Sequence, residues 1–300
     1  MKVVDLFAGA GGFSLGAEMA GCRVIWAANH WPAAVDAYRV NHPRTSVACQ
    51  DLHQADWSQV PAHDLLIASP ACQGHCKARG KDRPHHDTAR STAWAVVSCA
   101  EVHRPARVVV ENVPEFLRWA LFPAWSAAMQ ALGYELSHQV VDAADSGVPQ
   151  HRRRVFITAA LGKAVSLAIP TRPHAPARGI LRQGARWFDV NSKCARTRAR
   201  VRHARETIGD EFLVAYYGTE RGGRSLDKPL GTVTTRDRFA VVDGDRMRML
   251  SVPEYQAAMG FPPAYQLPRQ KALAIHLLGN AVPPPLAMDV IGSVMNGGQP

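Results

Sequence analysis

From Lys2 to about Ile157 the chain alternates between two hydrophobic rhythms. Short apolar runs (VVDLF, VIWAAN, LLIAS, VVVENV, VFITAA) are separated by stretches with helical spacing (FSLGAEMAG, PAAVDAYRVNH, STAWAVVSCAEVH, AWSAAMQALG). Runs that are apolar at consecutive positions predict strands buried on both faces, and the amphipathic segments predict the helices that cover them. This is the pattern of a parallel sheet in a doubly wound α/β domain. After Ala160 the rhythm gives way to proline, glycine and arginine, with no long helix expected until Val252 to Met259. The final stretch, LAIHLLGNAVPPPLAMDVIGSVM, regains helical spacing after a Gly-Asn turn and is expected to pack back on the first domain. Residues 1–160 and 273–300 therefore form the predicted main domain, and 161–272 a small irregular lobe.

Composition narrows the class. Hydrophobic residues at 47% and charged residues at 20% are ordinary for a globular protein. No run approaches the roughly 18 apolar residues of a membrane span. The start, MKVVDLFAGAGG, enters a strand-like run at once, so no signal peptide and a cytoplasmic location are expected. Six cysteines without a CxxC pair suggest neither a zinc ribbon nor a disulfide framework, and no metal is expected. A net charge of +10 favours a polyanionic partner.

That charge is concentrated. Between Thr171 and Arg205 there are ten lysines and arginines against one acid, Asp189. Arg196, Arg198, Arg200 and Arg202 alternate with Thr197, Ala199 and Val201, and in an extended segment they would share one face. Such a ribbon suits phosphates or guanine edges; a solvated basic surface is the alternative.

Several short stretches carry candidate chemistry. DLFAGAGGFSLG puts Gly9, Gly11 and Gly12 at a strand-to-helix turn, which serves NAD, FAD or S-adenosylmethionine, or is simply tight. Asp51 follows the expected third strand at the ligand-binding edge and suits an adenine amino group, or is a surface acid. Cys72 follows LLIAS in a polar loop beside Cys76, where His75, Lys77 and Arg79 would lower a thiol pKa; an inert buried cysteine is the alternative. VVVENV ends on Glu111, a carboxyl that burial would keep protonated to donate to a ring nitrogen, or an acid that merely starts a helix. In PQHRRRVFI, alternation sends Arg152 and Arg154 to the same side.

In order, DLFAGAGGFSLG, the Asp51 turn, SPACQG, ENV at 111–113, QHRRR at 150–154, RMRMLSVPEYQAAMGFP at 246–262 and GNAVPPPLA at 279–287 resemble the cytosine-C5 DNA methyltransferases over most of the chain. The resemblance implies a Rossmann-like S-adenosylmethionine-dependent methyltransferase domain with a small target-recognition lobe. It makes Cys72 the nucleophile that adds to C6 of a cytosine flipped out of duplex DNA. It gives Glu111 to the ring N3 and amino group, Arg154 to the cytosine O2, and Arg152 to the support of Cys72 or its loop. Phe7, Gly9, Gly11 and Gly12 would surround the methionine and sulfonium, Asp51 and Leu52 the adenine, Asn29 and His30 the ribose side, and Asn280 and Val282 the far wall. Gln73, Arg79, Arg90 and Gln150, with Arg196, Arg198 and Arg200 of the recognition lobe, would contact DNA. The implied enzyme is a cytoplasmic, nucleoid-associated monomer of bacterial or phage origin.

Four positions depart from the family pattern. Asn29 stands for an acid, His30 for a tryptophan, Ala71 for the proline before the nucleophile, and Cys76 for a serine or threonine. These leave open a modified transferred group. The same motifs would also serve an enzyme acting on transfer RNA, or a DNA-binding subunit that kept the fold without catalysis. A nicotinamide dehydrogenase would leave Cys72 and QHRRR without a role.

Overall fold

The computed structural model describes residues 1–71, 91–182, 186–216 and 222–298. Strands β1 (Lys2–Leu6), β2 (Arg23–Asn29), β3 (Ser46–Cys49), β4 (Leu65–Ala68), β5 (Arg107–Asn112), β6 (Tyr134–Asp142) and β7 (Arg153–Leu161) form one sheet in the order β3-β2-β1-β4-β5-β7-β6. Consecutive apolar residues are explained by two cores. Leu66, Ala68, Val108 and Val110 face helices α3 (Trp94–His103) and α4 (Phe122–Ala131), meeting Val96, Trp125 and Met129. Their neighbours Leu65, Ile67 and Val109 face the opposite way, toward α1 (Gly12–Met19) and α8 (Pro284–Met295), meeting Phe13, Ala17, Leu286 and Val290. The C-terminal helix thus packs on the first domain, as expected.

The sheet is mixed, which corrects the expectation of a parallel one. β7 runs antiparallel to both β5 and β6, because the short link from β6 to β7 permits a reversal but not a crossover. β6, YELSHQVVD, is an edge strand with many polar positions and carries no continuous apolar run. From β1 the chain moves outward through β2, α2 (Pro32–Asn41) and β3, then returns to β4 on the other side of β1. The loops leaving β1 and β4 therefore diverge and open a crevice at the carboxyl edge.

A second, antiparallel sheet has the order β8-β11-β10-β9, from β8 (Phe188–Asp189), β9 (Glu211–Ala215), β10 (Phe239–Asp243) and β11 (Arg246–Met249). One face packs on α6 (Val252–Ala258) and α7 (Lys271–Asn280), through Leu213, Phe239, Tyr255 and Leu278. The other is covered by α5 (Ala195–Ile208), whose 14 residues make it the longest described helix. Both the absence of a long helix before Val252 and the extended arginine ribbon are thereby overturned. Thr197, Val201 and Ala204 form its buried stripe, and Val201 and Ala204 meet Phe212 and Val214. Helical rotation fans Arg196, Arg198, Arg200 and Arg202 around the axis instead of aligning them.

The expected lobe boundaries also shift. Val165 and Leu167 are buried under α8, the Ala168 N–H donates to Ser293 Oγ at 2.8 Å, and Arg172 pairs with Asp289 at 2.8 Å. The chain leaves the main core only between Arg172 and Ala177, where Ala177 joins the second core, and α7 gives Ile275 and Leu278 to that second core. Among the described residues no helix is long and apolar enough to cross a membrane.

Candidate active site

A cleft of about 390 Å³ opens at the carboxyl edge where the loops after β1 and β4 part. Most of its lining comes from strand ends. Phe7 and Gly9 follow β1, Asn29 and His30 close β2, Ser69 and Ala71 follow β4, and Glu111 closes β5. Arg154 enters from β7 and Arg152 from just before it, and α7 supplies His276, Gly279 and Asn280 from the other side.

The glycine turn divides by function. Phe7 and Gly9 have φ of 62° and 54°, a left-handed conformation that a bulky residue adopts only where its surroundings impose it. A Cβ on Gly9 would meet nothing nearer than Phe7 O at 4.0 Å, so this position leaves open space for a ligand. A Cβ on Gly11 would lie 2.4 Å from His42 Nε2, and one on Gly12 2.2 Å from the Val282 carbonyl oxygen. Gly11 is thus packed closely against His42 and Tyr265, and Gly12 against Val282. Asp51 is exposed and holds a tight turn through the His53 N–H at 3.0 Å, and Leu52 is a core residue; neither lines the cleft.

Beneath the turn is a buried polar chain. Ser14 Oγ lies 2.6 Å from Asp5 Oδ2 and 2.8 Å from the Tyr38 hydroxyl. His42 stacks on Tyr38 with ring centroids 4.4 Å apart, and its Nε2 is 3.0 Å from the Tyr265 hydroxyl, which donates to the carbonyl of Ala10. Burial pushes the Asp5 carboxyl up to about 7, against the lowering effect of Ser14.

At the opposite wall Arg154 Nε lies 2.9 Å from Glu111 Oε1, with the side chains only 13% and 8% exposed. Glu111 and Arg154 therefore form a nearly dry pair, so the carboxyl at the end of β5 does not stand alone. Arg152 is buried and donates to Val233 O at 3.1 Å and Gly279 O at 2.9 Å, tying two segments of the second unit to the cleft. Gln150 is wholly buried: its amide nitrogen is bound to Ala258 O at 2.9 Å and its oxygen accepts the Val233 N–H at 2.8 Å. Gln150 is thus engaged as a bridge inside the protein.

Of the expected DNA-contacting arginines, Arg200 is half-buried, donates to Ala215 O at 2.7 Å and lies 5.7 Å from the Tyr216 ring centroid, so its guanidinium is engaged internally. Arg198 is exposed but donates to Lys193 O at 2.7 Å, and Arg196 projects into solvent. Cys72, Gln73, Cys76, Arg79 and Arg90 lie outside the described residues.

Sequence reasoning missed several cleft residues. Trp31 and His276 bring their ring centroids to 5.0 Å and offer a flat aromatic surface. Trp31 was signalled by its place directly after Asn29 and His30; His276 looks like any polar residue on a helix. Ser69 Oγ is buried with no hydrogen-bond partner among the described residues, on a residue that lines the cleft. An open glycine, an aromatic pair, an unsatisfied hydroxyl and cationic groups fit a ligand that joins a flat heterocycle to polar and charged ends.

The chain was compared with known proteins. The family model for C-5 cytosine-specific DNA methylases matches residues 1–178 and 182–296. The Type II methyltransferase M.NlaX of Neisseria lactamica is 27% identical over 293 residues, covering 94% of this chain and 92% of that protein. M1.HphI of Haemophilus parahaemolyticus, also a Type II methyltransferase, is 29% identical over 328 residues, covering 98% and 87%. Among solved structures, an E. coli prophage protein described as a DNA modification methyltransferase superposes with a TM-score of 0.75 at 18% identity, covering 99% of both chains. The S. pombe Dnmt2 methyltransferase gives 0.69 at 16% identity, covering 99% of this chain and 98% of that one. These structural likenesses show the Rossmann-like fold.

Proposed function

From the chain's membership of the C-5 cytosine-specific DNA methylase family, which makes it a DNA cytosine-C5 methyltransferase, we infer that it takes the methyl group from S-adenosylmethionine and acts through Cys72 on a cytosine flipped out of duplex DNA. The observation that carries this reading is the Glu111–Arg154 pair, 2.9 Å apart in a nearly dry wall of the cleft that Ala71, the residue before Cys72, also lines. When bound, S-adenosylmethionine supplies an electrophilic methyl on a sulfonium.

Cytosine C5 is too electron-poor to accept that methyl unaided. The Cys72 thiolate adds to C6, the displaced electron pair passes to C5, and after transfer the C5 proton leaves and the thiolate is expelled. Arg154 donates to the cytosine O2, where charge gathers, while holding Glu111 toward N3 and the exocyclic amino group. Charge-assisted bonds in a site shielded from water are strong and fix the ring plane. Arg152, bound to Val233 O and Gly279 O, holds the second unit against the site and acts at one remove. The residues available to the cofactor are Phe7, Gly9, Asn29, His30, Trp31, Ser69 and Asn280. The segment from about Ala177 through β11 serves as the target-recognition unit, and the enzyme works in the cytoplasm.

The test is nucleoside mass spectrometry with conversion sequencing of plasmid DNA from cells expressing the chain. Methylcytosine at one short sequence, lost in Cys72→Ala, is expected. Tritiated methyl transfer to transfer RNA but not to duplex DNA would overturn the substrate, and a different modified base would overturn the transferred group.

A further inference from the structure

The peptide unit that joins Pro70 to Ala71 is held at both of its poles. Its oxygen, the Pro70 carbonyl, accepts from Asn112 Nδ2 at 3.1 Å, and its N–H, that of Ala71, donates to Thr92 Oγ1 at 3.1 Å. The two holders come from different elements. Asn112 ends β5, is 1% exposed and has its own oxygen occupied by the Val113 N–H at 2.8 Å, which fixes the amide with its nitrogen toward Pro70. Thr92 stands just ahead of α3. Its carbonyl accepts the Ala95 N–H at 3.2 Å, and the neighbouring Ala93 carbonyl accepts Trp125 Nε1 at 3.0 Å from inside the core.

A peptide plane anchored at one end can still swing about the bonds that flank it. Anchored at oxygen and hydrogen together, it has a set orientation, which places the Ala71 Cα and leaves only the two dihedrals of that residue before the next peptide. The next residue is Cys72. The bond to Thr92 exists only because position 71 carries an N–H; a proline there would have no donor and would restrain the chain through its ring instead.

We propose that Thr92 is a positioning residue for Cys72, fixing through the Ala71 N–H the peptide plane one residue ahead of the nucleophile. This rests on the reading of Cys72 as the nucleophile. A hydroxyl that holds one backbone donor is the minimum required, so serine should substitute for threonine and valine should not. In the A71P background the donor is gone, and the identity of residue 92 should cease to matter.

The experiment uses the full-length chain with S-adenosylmethionine and a duplex carrying 5-fluorocytosine at the target base, and follows the rate of covalent adduct formation in a single turnover. Thr92→Val is expected to slow the adduct roughly five- to tenfold, as loss of one neutral hydrogen bond allows, with cofactor affinity unchanged and at most a small fall in thermal midpoint. Thr92→Ser should restore the rate, and Thr92→Val should add no further loss to A71P. A wild-type rate in Thr92→Val would overturn the proposal, as would an equal loss from Thr92→Val in both backgrounds, which would show that Thr92 acts by another route. If A71P unfolds, the valine and serine variants decide by themselves. No adduct in the wild type would instead remove the Cys72 reading, and this proposal with it.

Discussion

Asp5 lies inside the main sheet, wholly buried, with Ser14 Oγ at 2.6 Å as its hydrogen-bond donor. Its folded pKa, near 7, is above the ordinary 3.8. Between those values the unfolded chain has released this proton while the folded one keeps it, so stability falls as pH rises through the window and levels off above it. Asp5→Asn removes the titration. Urea unfolding from pH 4 to 7.5 should show a shallower pH dependence in the variant, by an amount on the order of 3–4 kcal/mol across the window; parallel profiles would contradict the assignment. The Glu111–Arg154 pair behaves differently, because each partner neutralises the other out of water. Arg154→Gln strands a carboxylate and should cost about 3–5 kcal/mol of stability along with turnover. The double variant with Glu111→Gln should recover much of the stability and none of the turnover, read by denaturation midpoints and methyl incorporation.

Helix α1 shows how packing overrides propensity. Replacing a helical glycine by alanine ordinarily favours the helix by up to about 1 kcal/mol. At Gly12 the new Cβ would lie 2.2 Å from the backbone oxygen of Val282, which cannot rotate aside. Gly12→Ala should therefore lower stability, by about 1–3 kcal/mol as overpacked cores do, and calorimetry showing an unchanged or raised midpoint would contradict it. The same contrast between local and tertiary information explains what was legible from sequence. β1, β2, β4, β5 and β7 were legible because each lies between two cores and is apolar at successive positions. Helix α5 was not, since three small or branched residues carry its buried stripe and the alternating arginines suggest a period of two; the strong helix propensity of alanine and arginine was the signal to weigh. The direction of β7 leaves no mark in composition. Glu111, Arg152 and Arg154 were legible as charges adjoining buried strands. The burial of Gln150 was not, because its side-chain partners Val233, Ala258 and Met259 all lie more than 80 residues away.

At the scale of the molecule, two units meet across one cleft, bridged by Arg152 to Val233 and Gly279. Gly279 is required there, since a Cβ would stand 2.4 Å from the Thr234 carbonyl. The net charge of +10 makes DNA binding sensitive to salt. Arg196 and Arg202 are exposed and can meet phosphates, so replacing either with alanine should reduce the slope of log affinity against log salt by about 1. Arg200, held on Ala215 and Tyr216, should when replaced lower the thermal midpoint and leave that slope unchanged. Fluorescence anisotropy across a salt series distinguishes the two. The most direct measurement of the account as a whole is peptide mapping of the complex formed with a 5-fluorocytosine duplex and S-adenosylmethionine. The account predicts the pyrimidine attached to Cys72 and no complex in Cys72→Ser; attachment at Cys76, or methylation of ordinary DNA by Cys72→Ser, would contradict it.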